Sequence, residues 1–201
     1  GKSRGGKLPR PPHAMNWITP DWPAPANVRA AVTTRDGGAS VGAYSSLNLG
    51  THVGDAKDAV LENRRRVRDA LRLAAEPVWL NQVHGTNVIA AGEHDEPPTA
   101  DASFSAAPGA ACVVLTADCL PVIFCDDAGR RVAAAHAGWR GLADGVLAAT
   151  IGALGVPSAN LLAWLGPAIE QRAFEVGDEV RDRFVQANAN AFARNGRGRW
   201  Q

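Results

Sequence analysis

Three short apolar runs dominate the middle of the chain. Residues 111–116, 122–125 and 132–136 are almost continuously hydrophobic. That pattern predicts strands buried on both faces, since a strand with one wet face would alternate. Asp126-Asp127-Ala128-Gly129, between the last two runs, has the composition of a hairpin turn. Upstream, residues 28–33 read as a strand that runs into a glycine-rich loop, 34–40. A helix is expected next: Val60, Val67 and Leu71 fall near one face, with Asp55 as the N-cap and Pro77 as the stop. Glu62, Arg64, Arg65, Arg66, Arg68 and Asp69 occupy mostly its other faces, so this arginine cluster reads as a solvated helix surface rather than a phosphate site. Residues 78–80 are expected to begin a strand reaching His84, with 88–91 continuing or returning it. After His136 a helix is predicted through Val146, Leu147, Ile151 and Leu154, closed by Gly155 with Pro157 just beyond. Residues 161–165 predict another strand, broken by Gly166-Pro167. Residues 178–191 predict a last helix with Val180, Phe184 and Val185 on its apolar side.

Length and composition narrow the class. The 201 residues suffice for one domain with a sizeable core, and neither an internal repeat nor an interior Pro/Gly/Ser-rich linker divides them. A hydrophobic fraction of 46% and a charged fraction of 20% describe a globular protein. The formal charge is +1, but Lys2, Arg4, Lys7 and Arg10 lie in a Gly/Pro-rich leader, which leaves a body of −3. Nothing in that balance calls for nucleic acid or a membrane as partner. The leader, 1–14, lacks the apolar stretch of a secretory signal and reads as a disordered basic tail or an appended remnant, with Met15 as the expected native start. Three cysteines are an odd number at low density, which favours a reducing compartment; a cytoplasmic protein is expected.

The chemistry concentrates in three segments: Asn81-Gln82-Val83-His84-Gly85, Thr116-Ala117-Asp118-Cys119-Leu120-Pro121 and Ala135-His136-Ala137-Gly138-Trp139-Arg140-Gly141. Each places one metal-ligand side chain at the end of an apolar run, beside a turn-forming Gly or Pro. Two imidazoles and one thiolate form a zinc set of catalytic type, in which three protein ligands leave a position for water or substrate. The separations, 35 and then 17 residues, match no short zinc-finger spacing. Strand ends would therefore have to converge at one sheet edge to bring the three side chains together. Asn81, Gln82 and Asp118 are neighbouring polar groups able to orient ligands or substrate. Cys112 and Cys125 fall inside apolar strands and read as packing residues. His94 reads as exposed, and His52 could line a pocket. A Cys–His hydrolase, with Cys119 as nucleophile and His84 or His136 as base, uses the same residues. A multicopper oxidase fits less well: the axial Met of a blue-copper centre would have to be Met15, and coupled copper clusters would need more than the five histidines present, none of which forms a His-x-His pair.

Together with Thr33-Thr34-Arg35 and Tyr44-Ser45-Ser46-Leu47-Asn48-Leu49, these segments resemble the laccase-domain or polyphenol oxidase family. That family includes the peptidoglycan editing factor and purine nucleoside phosphorylases with adenosine deaminase activity. The resemblance spans roughly residues 28–176. It implies an α+β fold, a layered α/β/β/α single domain with mixed buried sheets, related to toxin-type cysteine hydrolases. Residues 15–201 would form this one domain, without the segment and helix that family members carry beyond Trp200. His84, Cys119 and His136 match the family's metal triad, with zinc the expected ion and copper the alternative. The implied activity is phosphorolysis of adenosine, inosine or methylthioadenosine, together with adenosine deamination. Alternatives are amide hydrolysis on a cell-wall precursor, phenol oxidation with copper, and metal-free Cys–His hydrolysis. Expected catalytic residues are Cys119, His84, His136 and Arg35. Expected substrate-binding residues are Arg35, Asn48, Gln82, Asp118 and Arg140, with a nucleoside and phosphate as partners of a monomer. Asp101 and Asp118 are further candidates for proton transfer or for orienting the ligands. Trp139 is read mainly as a packing residue.

Overall fold

The computed structural model describes residues 15–187, 189–195 and 199–201; the expected leader, 1–14, lies outside the described residues. The elements follow in the order β1 (Trp17–Ile18), β2 (Val32–Thr33), α1 (Lys57–Leu71), β3 (Val88–Ala90), β4 (Ala102–Ser105), β5 (Leu120–Asp126) and β6 (Val132–Ala137). After them come α2 (Trp139–Asp144), α3 (Val146–Leu154), β7 (Leu161–Leu165) and α4 (Asp178–Phe184). The chain is a mixed α/β domain. β1 and β2 pair as a short antiparallel ribbon, and a five-stranded mixed sheet runs β3-β4-β6-β5-β7. Only β3 and β4 are parallel; the other neighbours are antiparallel.

The double-sided burial predicted for β5 and β6 is present. On one face, Val122, Phe124 and the small side chains of Ala133, Ala135 and Ala137 form a core with Val146 and Leu154 of α3. Alanines at alternate positions let the helix lie close to the sheet. On the other face, Cys125 and the half-buried Ile123, Val132 and Trp164 pack under Trp22, Ala24 and Val28. Residues 22–31 are therefore a cover over the sheet rather than a strand, and the strand expected at 28–33 shrinks to Val32–Thr33.

Several other expectations change. Residues 78–84 hold no strand beyond an isolated bridge from Asn81 to Thr99. Residues 111–116 form no strand either. Leu115 there is bound by the Gln82 side chain, whose Oε1 accepts its N–H at 2.7 Å and whose Nε2 donates to its carbonyl at 2.8 Å. A side-chain amide thus replaces the ladder partner that a strand would supply. β4, Ala-Ser-Phe-Ser, carries the pairing instead. The first long helix starts after Ala56, and Asp55 accepts from Ser40 and Asn48 rather than capping it. That helix ends at Arg72 in a left-handed conformation, before Pro77 is reached. The helix expected at 178–191 is interrupted, with α4 ending at Phe184 and a 3-10 turn at Ala189–Ala191. Arg65 and Arg66 pair with Glu62 on the exposed surface, whereas Arg64 stacks on Trp79 and donates to the carbonyl of Leu49. Among the described residues no helix is long and apolar enough to cross a membrane.

Candidate metal centre

Strand register brings the three segments together. β4 and β6 are paired with Ala102 opposite Ala135, so one step further Asp101 faces His136, and the His136 N–H donates to the Asp101 carbonyl at 2.7 Å. β5 and β6 are paired with Leu120 opposite Ala137, which carries Cys119 and Gly138 to adjacent places just past the ladder. The segment 81–87 wraps the same end of the sheet. Asn81 accepts from Ala100, and Asn87 accepts from Asp101 and Ala102.

The outcome is one cluster. Ligand atoms of His84, Cys119 and His136 all lie within 4.8 Å of one another. Cys119 Sγ is 3.8 Å from His84 Nε2, and the two imidazole rings meet edge to face with centroids 4.8 Å apart. In a tetrahedral zinc site, bonds of about 2.0–2.3 Å place neighbouring donors about 3.3–3.6 Å apart. Shifts of roughly 1 Å or less would close the observed cluster onto such an ion, so the donor set and its spacing fit zinc. His136 is buried, Cys119 half-buried and His84 exposed. One side of the cluster is open.

Electrostatics favour a cation at this point. Burial, followed by the charges of Asp118 and Asp101, pushes the Cys119 thiol above its ordinary value. A thiolate there needs a positive neighbour. Burial holds the His136 imidazole below its ordinary value, against the opposing effect of its hydrogen bond to Asp101, and so favours the neutral ring that binds metal. The carboxylate of Asp101, fully buried, accepts from His136 Nδ1 at 2.9 Å and from the backbone N–H groups of Val83, His84 and Gly85 at 3.2, 2.9 and 2.6 Å.

Two glycines make the approach possible. A Cβ on Gly138 would stand 2.6 Å from His84 Cδ2 and 3.1 Å from Cys119 Sγ. One on Gly141 would stand 2.8 Å from the Gly85 carbonyl oxygen. Neither role is visible in composition; the one hint is that both glycines flank the first turn of α2, where nothing in a helix start requires them.

The remaining predicted site residues are distributed differently. Arg140 is exposed at the start of α2, its guanidinium 4.4 Å above the Trp139 ring. Asp118 is exposed beside Cys119, and its carbonyl accepts from Ile169. Gln82 is engaged with Leu115, as described. Arg35 Nε donates to the Ser45 carbonyl at 2.8 Å, and Asn48 is bound to Gly50 and Asp55. Neither Arg35 nor Asn48 hydrogen-bonds a member of the triad among the described residues. His52 and His94 are exposed and stand outside the cluster. Cys112 and Cys125, pushed up by burial to about 12 and about 11, are packing residues as expected.

A mixed α/β domain with an open His2Cys ligand set at the end of its sheet is thus the class that fold and site define. Residues 29–201 match the model of the family described as multi-copper polyphenol oxidoreductase laccase, and the chain belongs to that family. It is 63% identical over 175 residues to a protein named purine nucleoside phosphorylase from Pseudomonas aeruginosa, covering 87% of this chain and 71% of that one. Its identity to the purine nucleoside phosphorylase YfiH of Escherichia coli is 55% over 177 residues, covering 88% and 73%. A crystal structure of a Neisseria meningitidis protein superposes with a TM-score of 0.87 at 54% identity, covering 92% of this chain and 77% of that one.

Proposed function

We propose that the protein is a zinc-dependent purine nucleoside enzyme. It would split adenosine, inosine or methylthioadenosine with phosphate and also deaminate adenosine. The observation that carries this reading is the convergence of His84, Cys119 and His136 within 4.8 Å with one side open. The names of the relatives supply the substrate class. Zinc held by these three residues would supply Lewis-acid polarisation of an oxygen on phosphate or water.

The chain's own groups would do the rest. Exposed Arg140, stacked on Trp139, offers a planar guanidinium to a phosphate approaching the open side. Asp118, exposed next to Cys119, offers a carboxylate for a ribose hydroxyl or a proton. Arg35 would act from the 34–48 loop, where Ser45 already fixes its guanidinium. Asn48 and Gln82 would hold the walls of the site rather than bind the nucleoside, because their amides are engaged by Gly50, Asp55 and Leu115.

One observation favours a second reading. The 3.8 Å contact of Cys119 Sγ with His84 Nε2 is also that of a Cys–His dyad. Against it, a dyad needs only one imidazole, whereas both His84 and His136 converge on Cys119. Metal analysis combined with a phosphate-dependence assay on adenosine separates the two. The wild type should hold about one zinc and release adenine only when phosphate is present. Cys119→Ala and His136→Ala should lose both properties. Adenine release unaffected by either substitution overturns the site assignment.

A further inference from the structure

We propose that Asp101 is the positioning residue of this centre: one buried carboxylate sets the ring orientation of His136 and the backbone conformation of His84 at the same time. The inference rests on the metal reading above and deepens it. Asp101 Oδ1 lies 2.9 Å from His136 Nδ1 and 2.9 Å from the His84 N–H, while Oδ2 takes the N–H groups of Gly85 and Val83 at 2.6 and 3.2 Å. An ionised carboxylate can only accept, so His136 must carry its proton on Nδ1. Its Nε2 lone pair is then left for the centre, as in metal sites where a second carboxylate orients the ligand.

The same side chain acts on His84 by a different route. His84 has φ +60, a left-handed conformation that non-glycine residues rarely adopt. It is held by three successive N–H groups, from residues 83 to 85, directed at one anion, an arrangement that binds negative charge well. Asp101 is in turn fixed by the sheet: its carbonyl accepts from His136 N–H at 2.7 Å and its N–H donates to Asn87 at 3.0 Å. Two ligands from segments far apart in sequence thus share one anchor. Cys119, the third, is placed by the start of β5 and feels Asp101 through its charge rather than through a hydrogen bond.

The test uses the whole 201-residue chain with zinc and cobalt(II) as probes. In Asp101→Asn, an amide N–H2 must face either His136 Nδ1–H and the His84 N–H, or the N–H groups of residues 83 and 85. Zinc affinity, measured by competition with a chromophoric chelator, should fall by roughly 10–100-fold. The cobalt(II) absorption spectrum should shift from that of the wild type. Folded Asp101→Asn protein with wild-type affinity and an unchanged cobalt spectrum overturns the proposal. If His84→Ala abolishes zinc binding in the same series, that result leaves the metal reading standing; if neither substitution changes it, both fall. A measurement on the zinc-free wild type decides the matter should Asp101→Asn not fold. Long-range 1H–15N correlation of the histidine rings should place the His136 proton on Nδ1, and a proton on Nε2 overturns the assignment.

Discussion

Gly138→Ala should damage the metal centre while sparing the fold. The backbone there, φ −63 and ψ 155, is open to any residue, so alanine introduces no conformational strain. By itself such a change stabilises a protein by about 0.4–1 kcal/mol through the unfolded state. The cost is local. The new Cβ would lie 2.6 Å from His84 Cδ2 and 3.1 Å from Cys119 Sγ, where contacts of about 3.5–4.0 Å are comfortable. His84 is exposed, so its ring can retreat by about 1 Å at small cost to packing. Metal ligands, however, tolerate only about 0.2 Å. A 100-fold loss of zinc affinity is the expected scale, the upper end of about 10–100-fold seen when ligand orientation is lost. At a zinc concentration of about 1,000 times the wild-type Kd, ligand binding stabilises the native state by about 4.1 kcal/mol; a 100-fold weaker site leaves about 1.4 kcal/mol. For a chain of this size the zinc-induced rise in Tm should shrink by about 5–11 °C, with the zinc-free Tm nearly unchanged. Differential scanning calorimetry with and without zinc reads both quantities. An unchanged zinc-induced shift in Gly138→Ala would refute the claim that the missing Cβ makes room for the ligands.

Three further outcomes are expected. Asn63 is fully buried, accepts from Ala39 and donates to Ser40 and the Asn48 carbonyl, so Asn63→Ala strands buried partners and should cost about 2–4 kcal/mol in urea unfolding; a change within 0.5 kcal/mol would show that water replaces it, by analogy with about 0.5 kcal/mol for surface sites. Iodoacetamide at pH 8 should label the folded zinc-free chain faster on Cys119, half-buried beside exposed His84, than on Cys112 and Cys125, whose thiols burial pushes up to about 12 and about 11; peptide mapping that finds equal labelling of the three would contradict the environments described. Arg65, then Arg66, hold Glu62 at about 2 against an ordinary 4.5, so its contribution to stability is complete above pH 4.5 and fades as the pH falls toward 2. The stability difference between wild type and Glu62→Gln should therefore shrink over that window, and a difference that grows there would reverse the sign.

The sequence made strong local signals legible and left relationships between segments unread. β5, β6, β7 and α3 follow directly from apolar runs and a closing glycine, because burial on both faces leaves a continuous hydrophobic string. β4 escaped notice because Ala-Ser-Phe-Ser has neither bulk nor alternation; it is a strand because β6 offers it a ladder and α3 covers it. Residues 111–116 misled for the opposite reason. They have the apolar string, but the Gln82 amide satisfies Leu115, and no propensity scale registers a side chain standing in for a strand. The triad was readable as three ligand-type side chains beside Gly or Pro, but the strand ends expected to carry them hold only for His136 on β6: Cys119 lies just before β5, and no strand precedes His84. What placed them together is register, with Asp101 opposite His136 and Cys119 beside Gly138, and a single sequence does not print register. Asp101 stood among the possible orienting groups, yet three of its four side-chain hydrogen bonds come from a turn 16 to 18 residues away and the fourth from His136, 35 residues away.

His136 sits on β6, the strand that pairs with both β4 and β5, while Cys119 reaches it through the β5 pairing and His84 through the Asp101 carboxylate at the edge of β4. Closing contacts over such separations comes late in folding, after local turns and helices have formed. An incompletely folded chain therefore has the ligands but not the geometry. Metal capture by this protein would act as a certificate of finished assembly, and a zinc-sensitive signal placed at Cys119 would report on the maturation of the whole sheet rather than on a local pocket.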